Sequence, residues 1–205
     1  MNTSDYVKIP KSFYEREDVV KIARELLGKY LFTRVDGVLT GGKIVETEAY
    51  NGRTDKASHA YKKRTNRTEV MYQNGGIAYV YLCYGIHHLF NIVTNRSGLA
   101  DAVLVRAVEP TFGIDRMVDR YGSVRTKVSN GPGKLSKALG INTDLNGTDL
   151  SGDKLFIATH INEKIPKIAV DTRIGVDYAE EDALLPWRFY IEKNEWVSKQ
   201  RTPVN

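Results

Sequence analysis

The chain carries a single cysteine, Cys83, which excludes an internal disulfide framework and any thiolate-rich zinc or iron–sulfur site. A lack of disulfides fits a reducing compartment. Histidine is sparse too: among the four, His87 and His88 point to opposite sides of a strand and His59 stands alone, so no metal-ligand spacing is present. Neither the P-loop nor the dinucleotide fingerprint occurs; Gly75-Gly76 and Gly131-Pro132-Gly133 match neither, and no serine sits in a nucleophile elbow. The longest apolar run, Ile77 to Ile86, is about half of the roughly 20 residues a membrane helix needs, and three tyrosines and a glycine interrupt it. The first residues, Asn2-Thr3-Ser4-Asp5, are polar and lack the apolar stretch of a secretory signal. Internal repeats and low-complexity tracts are missing. These absences lead us to expect no cofactor, no metal and no membrane partner.

What is present suits one globular domain, residues 1–205, because apolar residues make up 41% and charged residues 27%, too apolar for a disordered chain. The net charge is +5, by itself a weak sign of an acidic partner. Its distribution is more informative. From Arg53 to Arg67 there are six basic residues against one acidic residue, Asp55, in a stretch that reads either as a solvated loop or as a surface for a polyanion.

Residues 18–27 place Val19, Val20, Ala23, Leu26 and Leu27 at helical spacing, and Gly28 supplies the stop. Residues 29–35 and 38–49 read as strands joined at Asp36-Gly37, a pair suited to a tight hairpin. Residues 51–74 are polar, basic and without periodicity, and a loop of that length is usually functional or disordered. Residues 77–83 and 88–94 are β-rich runs flanking Tyr84-Gly85-Ile86-His87, a second hairpin. A strand at 102–108, helices at 112–120 and 134–139, and short strands at 154–159, 167–170 and 188–191 complete the reading. Strands without alternating helices predict an α+β fold with a mainly antiparallel sheet.

Two constellations could carry chemistry. In Ile44-Val45-Glu46-Thr47-Glu48-Ala49-Tyr50, strand alternation puts Glu46, Glu48 and Tyr50 on one face. That face is either a solvated polar surface or a carboxylate site able to activate water against a glycosidic bond. In Tyr79-Val80-Tyr81-Leu82-Cys83-Tyr84-Gly85, Tyr79 and Tyr81 share a face, as core residues often do, whereas Tyr84 falls at the turn. An aromatic at an exposed hairpin tip is the kind of wedge that minor-groove binders insert between base steps.

Taken in order, the segments Ala23 to Gly28, Ile44 to Tyr50, Asp55 with Ala57-Ser58-His59, Arg64-Thr65 with Arg67, and Ala78 to Tyr81 with Tyr84-Gly85 and Asn91 resemble the alkyladenine (3-methyladenine) DNA glycosylase family, the type without a helix-hairpin-helix. Val105 to Pro110, Gly131 to Leu135, Arg173 to Val176 and Arg188-Phe189-Tyr190 continue the match over nearly the whole chain.

The resemblance implies a monofunctional, metal-free glycosylase that flips alkylated or deaminated purines from double-stranded DNA and hydrolyses the N-glycosidic bond, leaving an abasic site. It implies a single α+β domain with a curved, mainly antiparallel sheet, flanking helices and a protruding DNA-inserting hairpin. Glu48 would be the general base, and Arg106 and the backbone carbonyl of Ile174 would hold the water. Tyr50, His59 and Tyr81 would stack around the flipped base, and Asn91 would crowd the exocyclic amine of normal guanine. Tyr84 would fill the gap in the duplex, with Lys62, Lys63, Arg64 and Arg67 on its backbone. A monomer is expected, in the cytoplasm beside the nucleoid in a bacterium or in the nucleus of a eukaryote. Lys62-Lys63 stands where the family favours glycine, Gly75 where proline is common and Leu89 where cysteine is frequent. Two rival readings remain: a DNA-binding protein without catalysis, and a carbohydrate glycosidase that pairs Glu46 with Glu48. Replacing Glu46 serves as an internal control, expected to be much milder than replacing Glu48.

Overall fold

The computed structural model describes residues 3–122, 127–164 and 166–198. Among them are nine strands: β1 (Tyr6–Lys8), β2 (Tyr30–Val35), β3 (Val38–Tyr50), β4 (Ala78–Cys83), β5 (His87–Thr94), β6 (Asp101–Phe112), β7 (Leu155–His160), β8 (Ile168–Asp171) and β9 (Arg188–Ile191). They form one open sheet ordered β1-β7-β2-β3-β6-β5-β4, with β9 pairing with β3 and β8 with β9. Every strand pairing among the described residues is antiparallel. The helices are α1 (Lys11–Tyr14), α2 (Val19–Glu25), α3 (Ile114–Tyr121) and α4 (Pro132–Leu139). Helix α2 packs on β3 and β6, and α4 on β5 and β6. The α+β class read from the sequence holds.

Local chemistry explains most boundaries. The Asp18 side chain caps α2 by accepting from the Lys21 N–H at 2.9 Å, and Ile22, Ala23 and Leu26 turn its apolar stripe into the core. Asp36 and Gly37 both take positive φ, 54° and 74°, as the tight turn between β2 and β3 requires. Helix α4 starts at Pro132 rather than at residue 134, because proline suits the first helical position. Residues 101–108 of β6 are all buried, so its apolar run is a strand covered on both faces.

Residues 51–74, read as a functional or disordered loop, are in fact packed. Gly52 passes so close to β6 that a Cβ there would lie 2.3 Å from the Ala100 carbonyl oxygen, and its N–H donates to the buried Asp101 at 2.9 Å. Ala57, Ala60 and Met71 are buried, and Glu69–Tyr72 forms a 3-10 turn. Elements with no local sequence signal also appear: β1, α1, and the 3-10 segments Thr143–Leu145 and Asp177–Leu184.

The hairpin of β4 and β5 closes on the pair Cys83 and His87. At its tip Tyr84 (φ 50°) and Gly85 (φ 72°) are both left-handed, and the Ile86 N–H donates to the Cys83 carbonyl at 3.1 Å. Tyr84 is 93% exposed, which no core role would leave it. Among the described residues no helix is long and apolar enough to cross a membrane.

Candidate active site

Two opposed bulges in the β3–β6 ladder build the centre of the site. Between Ile44 and Glu46 the extra residue is Val45 on β3; between Glu46 and Thr47 it is Arg106 on β6. A bulge bends its strand and re-aims a side chain, and here it turns Arg106 onto the two carboxylates of β3. Arg106 Nε lies 3.1 Å from Glu46 Oε1 and Nη1 lies 3.2 Å from Glu48 Oε1. Both glutamates are completely buried, so the solvated-surface reading of this strand face is overturned. Burial alone would lower the Arg106 pKa; the charges of Glu48 and then Glu46 more than offset it and hold the guanidinium charged.

The two carboxylates differ in what they have left to offer. An ionised carboxylate has about four acceptor sites. Glu46 takes four donors, three on Oε1 from Arg106 Nε, Arg188 Nε (2.7 Å) and the Ser198 hydroxyl (2.8 Å) and one on Oε2 from the Ser198 N–H (2.7 Å). Glu48 accepts from Arg106, from the Ile174 N–H (2.8 Å) and, on Oε2, from the Tyr50 hydroxyl (2.7 Å). One position on Oε2 stays open for a further donor. Burial, then the charge and hydrogen bond of Glu48, push the Tyr50 pKa well above its ordinary value, so Tyr50 keeps its proton and donates it.

In front of this network lies a cleft of about 1660 Å³. Tyr50, Arg106 and Ile174 line it, with Glu48 directly behind them. His59, Tyr81, Asn91, Arg67 and the hairpin-tip Tyr84 line it too. His59 packs edge-on against Tyr81 with ring centres 4.6 Å apart, and its Nδ1 lies 3.1 Å from the Tyr79 hydroxyl. Burial first and the Arg67 charge second push the His59 pKa down to about 4, so the ring is neutral at pH 7 although its open side meets the cleft. Burial raises the Tyr81 pKa, and the Arg67 guanidinium lies over the Tyr81 ring at 4.8 Å. Asn91, opposite Tyr79 in the ladder, is fixed by donating to the Tyr79 carbonyl at 3.2 Å.

Lys62, Lys63 and Arg64 do not line the cleft; they are exposed on the turn beside it. Arg64 is engaged by Glu69 through two hydrogen bonds, at 2.9 and 2.5 Å. Sequence reasoning missed Lys134 and Lys137, which also line the cleft. Their spacing of three after a Gly-Pro-Gly helix start was the available signal. It also gave no role to the buried pair Asp55–Arg173, whose partners stand 118 residues apart, nor to Arg188 and Ser198 behind Glu46. Among the described residues, the lining carries the basic side chains Arg67, Arg106, Lys134 and Lys137 and no carboxylate, a wall suited to a polyanion.

Residues 12–195 match the family pattern described as methylpurine-DNA glycosylase (MPG). A protein of Desulfitobacterium hafniense is 44% identical over 201 residues, covering 93% of this chain and 98% of its own. Proteins of Bacillus cytotoxicus (45% over 206 residues, 94% and 100% covered) and Clostridium tetani (44% over 204, 95% and 100%) are similarly close. All three bear the name "Putative 3-methyladenine DNA glycosylase". With the match running across the bulged carboxylate strand, the hairpin and the loop between them, the chain belongs to the methylpurine-DNA glycosylase family and is a DNA glycosylase.

Proposed function

We propose that this enzyme flips alkylated and deaminated purines out of duplex DNA and hydrolyses the bond between base and sugar, with Glu48 as the general base. The observation that carries this reading is the unequal placement of the two buried carboxylates: all three donors on Glu48 come from residues that line the cleft, whereas three of the four on Glu46 come from Arg188 and Ser198 behind it. A water bound there, held also by Arg106 and the Ile174 carbonyl, gives a proton to Glu48 as its oxygen bonds to the sugar C1′. The C1′–N bond breaks as that new bond forms, and its electron pair leaves with the base. Positive charge on an alkylated purine eases that departure, and the Glu48 charge stabilises the sugar cation that develops.

Extruding a nucleotide costs a few kcal/mol, less for a poorly paired base. Stacking on an aromatic returns about 1–3 kcal/mol per base. Tyr50, His59 and Tyr81 supply the faces, Asn91 crowds a guanine amine, and Tyr84 fills the gap in the helix. A bulky residue held at φ 50° on a fully exposed tip costs stability and contributes no burial, which is a pattern of function. A base stacking on the covered face of Tyr81 displaces Arg67 outward, towards the phosphates that Lys62, Lys63 and Arg64 also face. The enzyme works as a monomer, and in a bacterium the cytoplasm holds its substrate.

The carbohydrate glycosidase reading requires both glutamates to reach substrate, and the four donors on Glu46 argue against it. A non-catalytic DNA binder would have no use for a buried carboxylate with a free acceptor site. Base release from duplexes carrying 3-methyladenine, 7-methylguanine, hypoxanthine or etheno-adenine, against a panel of simple glycosides, tests the proposal. Release of none of these bases would end it.

A further inference from the structure

Arg173 does not line the cleft, yet its side chain, with no solvent exposure, ties together several of the elements around Glu48. Its guanidinium makes a two-pronged ion pair with Asp55 of the 51–74 loop, at 2.5 and 2.9 Å. It also donates to the Ala49 carbonyl of β3 at 2.9 Å and to the Asp182 carbonyl at 2.9 Å. The plane lies 4.8 Å from the centre of the Tyr50 ring and 5.3 Å from that of Trp187. Its Nε is buried without a hydrogen-bond partner. A buried donor left unsatisfied is costly, so the guanidinium sits where the stack and the fork hold it rather than where all its donors are served. Replacing a buried ion pair by apolar groups is often neutral or stabilising, and stability alone is a poor reason for this one.

Geometry supplies a better reason. Of the three donors on Glu48, two are placed through Arg173. The Ile174 N–H, 2.8 Å from Oε1, belongs to the peptide that joins the two residues; the Tyr50 hydroxyl, 2.7 Å from Oε2, belongs to the ring on which Arg173 stacks. The third donor, Arg106, comes from β6, and Arg188 and Glu46 flank it from behind. We propose that Arg173, locked by Asp55, is a positioning residue that sets the hydrogen-bonded orientation of Glu48 and so the direction in which its open acceptor site faces. This inference rests on the reading of Glu48 as the general base.

Arg173→Lys keeps the charge but loses the fork and the flat stacking surface. A displacement of about 1 Å at a reacting group can cost about 10²-fold in rate. The test measures single-turnover base release at saturating enzyme for Arg173→Lys, Tyr50→Phe, the double variant and Glu48→Gln, each with its thermal midpoint. The expected result is a loss of about 10- to 100-fold in Arg173→Lys. In the Tyr50→Phe background that loss should be clearly smaller, because part of it acts through the Tyr50 hydroxyl. Losses that multiply, or a lowered midpoint with an unchanged rate in the folded fraction, make Arg173 merely structural and overturn the proposal. Glu48→Gln separates the two readings. If it is inactive while Arg173→Lys is normal, only the positioning role fails; if Glu48→Gln releases base like the wild type, the general-base reading falls and this proposal with it. Should Arg173→Lys not fold, Asp55→Asn loosens the same fork from the other side and is held to the same outcomes.

Discussion

Glu48→Gln and Glu46→Gln should fail in opposite ways. In Glu48→Gln the amide oxygen can keep the acceptor role of Oε1 towards Arg106 and the Ile174 N–H, while the new NH₂ faces the Tyr50 hydroxyl, which can rotate to accept. The fold therefore tolerates the change. Catalysis does not. A general base contributes ~10²–10⁴ in rate. Removing a negative charge about 5 Å from a sugar cation adds about 3 kcal/mol at an effective dielectric constant of about 20. These terms overlap, so a loss of at least ~10³ in single-turnover base release is expected, with lesion-duplex binding retained. In Glu46→Gln either amide orientation points an NH₂ at an existing donor, the Ser198 N–H or the two arginine Nε groups. Breaking a buried charge pair costs about 3–5 kcal/mol, or about 10 °C in a domain of this size. The cost of Glu46→Gln therefore falls on stability, while its folded fraction should release base within about tenfold of wild type, much milder than Glu48→Gln. Thermal melts with single-turnover kinetics on both variants decide the matter. Equal rate losses would point to a carboxylate pair, and robust base release by Glu48→Gln would refute the mechanism.

Tyr84→Asn, which suits a left-handed turn, should leave the thermal midpoint unchanged or slightly raised while duplex excision falls; a lowered midpoint would mean the ring packs against something. His59, with its pKa pushed down to about 4 in the folded state, is neutral in both states above pH ~6.5. Below that the unfolded chain takes up the proton first, so stability should be lost as pH falls from ~6.5 to ~4. Solvent in the cleft reduces the effect to about 1 kcal/mol, and pH-dependent denaturant melts of wild type against His59→Asn should differ by that window; identical profiles would refute it.

Much of the scaffold could be read locally. Asp36-Gly37 and Tyr84-Gly85 marked hairpins because positive φ restricts which residues can turn there. Alternation put Glu46, Glu48 and Tyr50 on one face. What alternation could not decide was which glutamate is free to act, because three of the four donors that hold Glu46 come from Arg188 and Ser198, more than 140 residues away along the chain. The order of residues 51–74 was hidden for the same reason: it depends on Asp101 holding Gly52 and Arg173 holding Asp55. Strand β1, only three residues long, exists through its pairing with β7 and has no pattern of its own.

The cations around the cleft should divide into two groups. Arg106 is the only basic residue of the described lining that touches both carboxylates, so its charge is already matched and little remains for a phosphate. Lys134 instead donates to the neutral Asn130 side chain at 3.0 Å, and Lys137 lies over the Tyr121 ring at 5.4 Å, both leaving their charge available. Arg64 is partly neutralised by Glu69, whereas Lys62 lies over the neutral Tyr61 ring at 4.8 Å. Removing one cation that neutralises a phosphate lowers the slope of log affinity against log salt by about 0.9. Binding of undamaged duplex, measured across salt, should therefore lose about one unit of slope for each of Lys62→Ser, Lys134→Ser and Lys137→Ser, and less for Arg64→Ser. Base release at saturating enzyme should stay near wild type in those variants. Arg106→Lys should do the reverse, keeping the salt slope while base release collapses. If Arg106→Lys flattened the slope, or if the lysine variants left it unchanged, the cations that hold DNA and those that serve the carboxylates would not be separate sets.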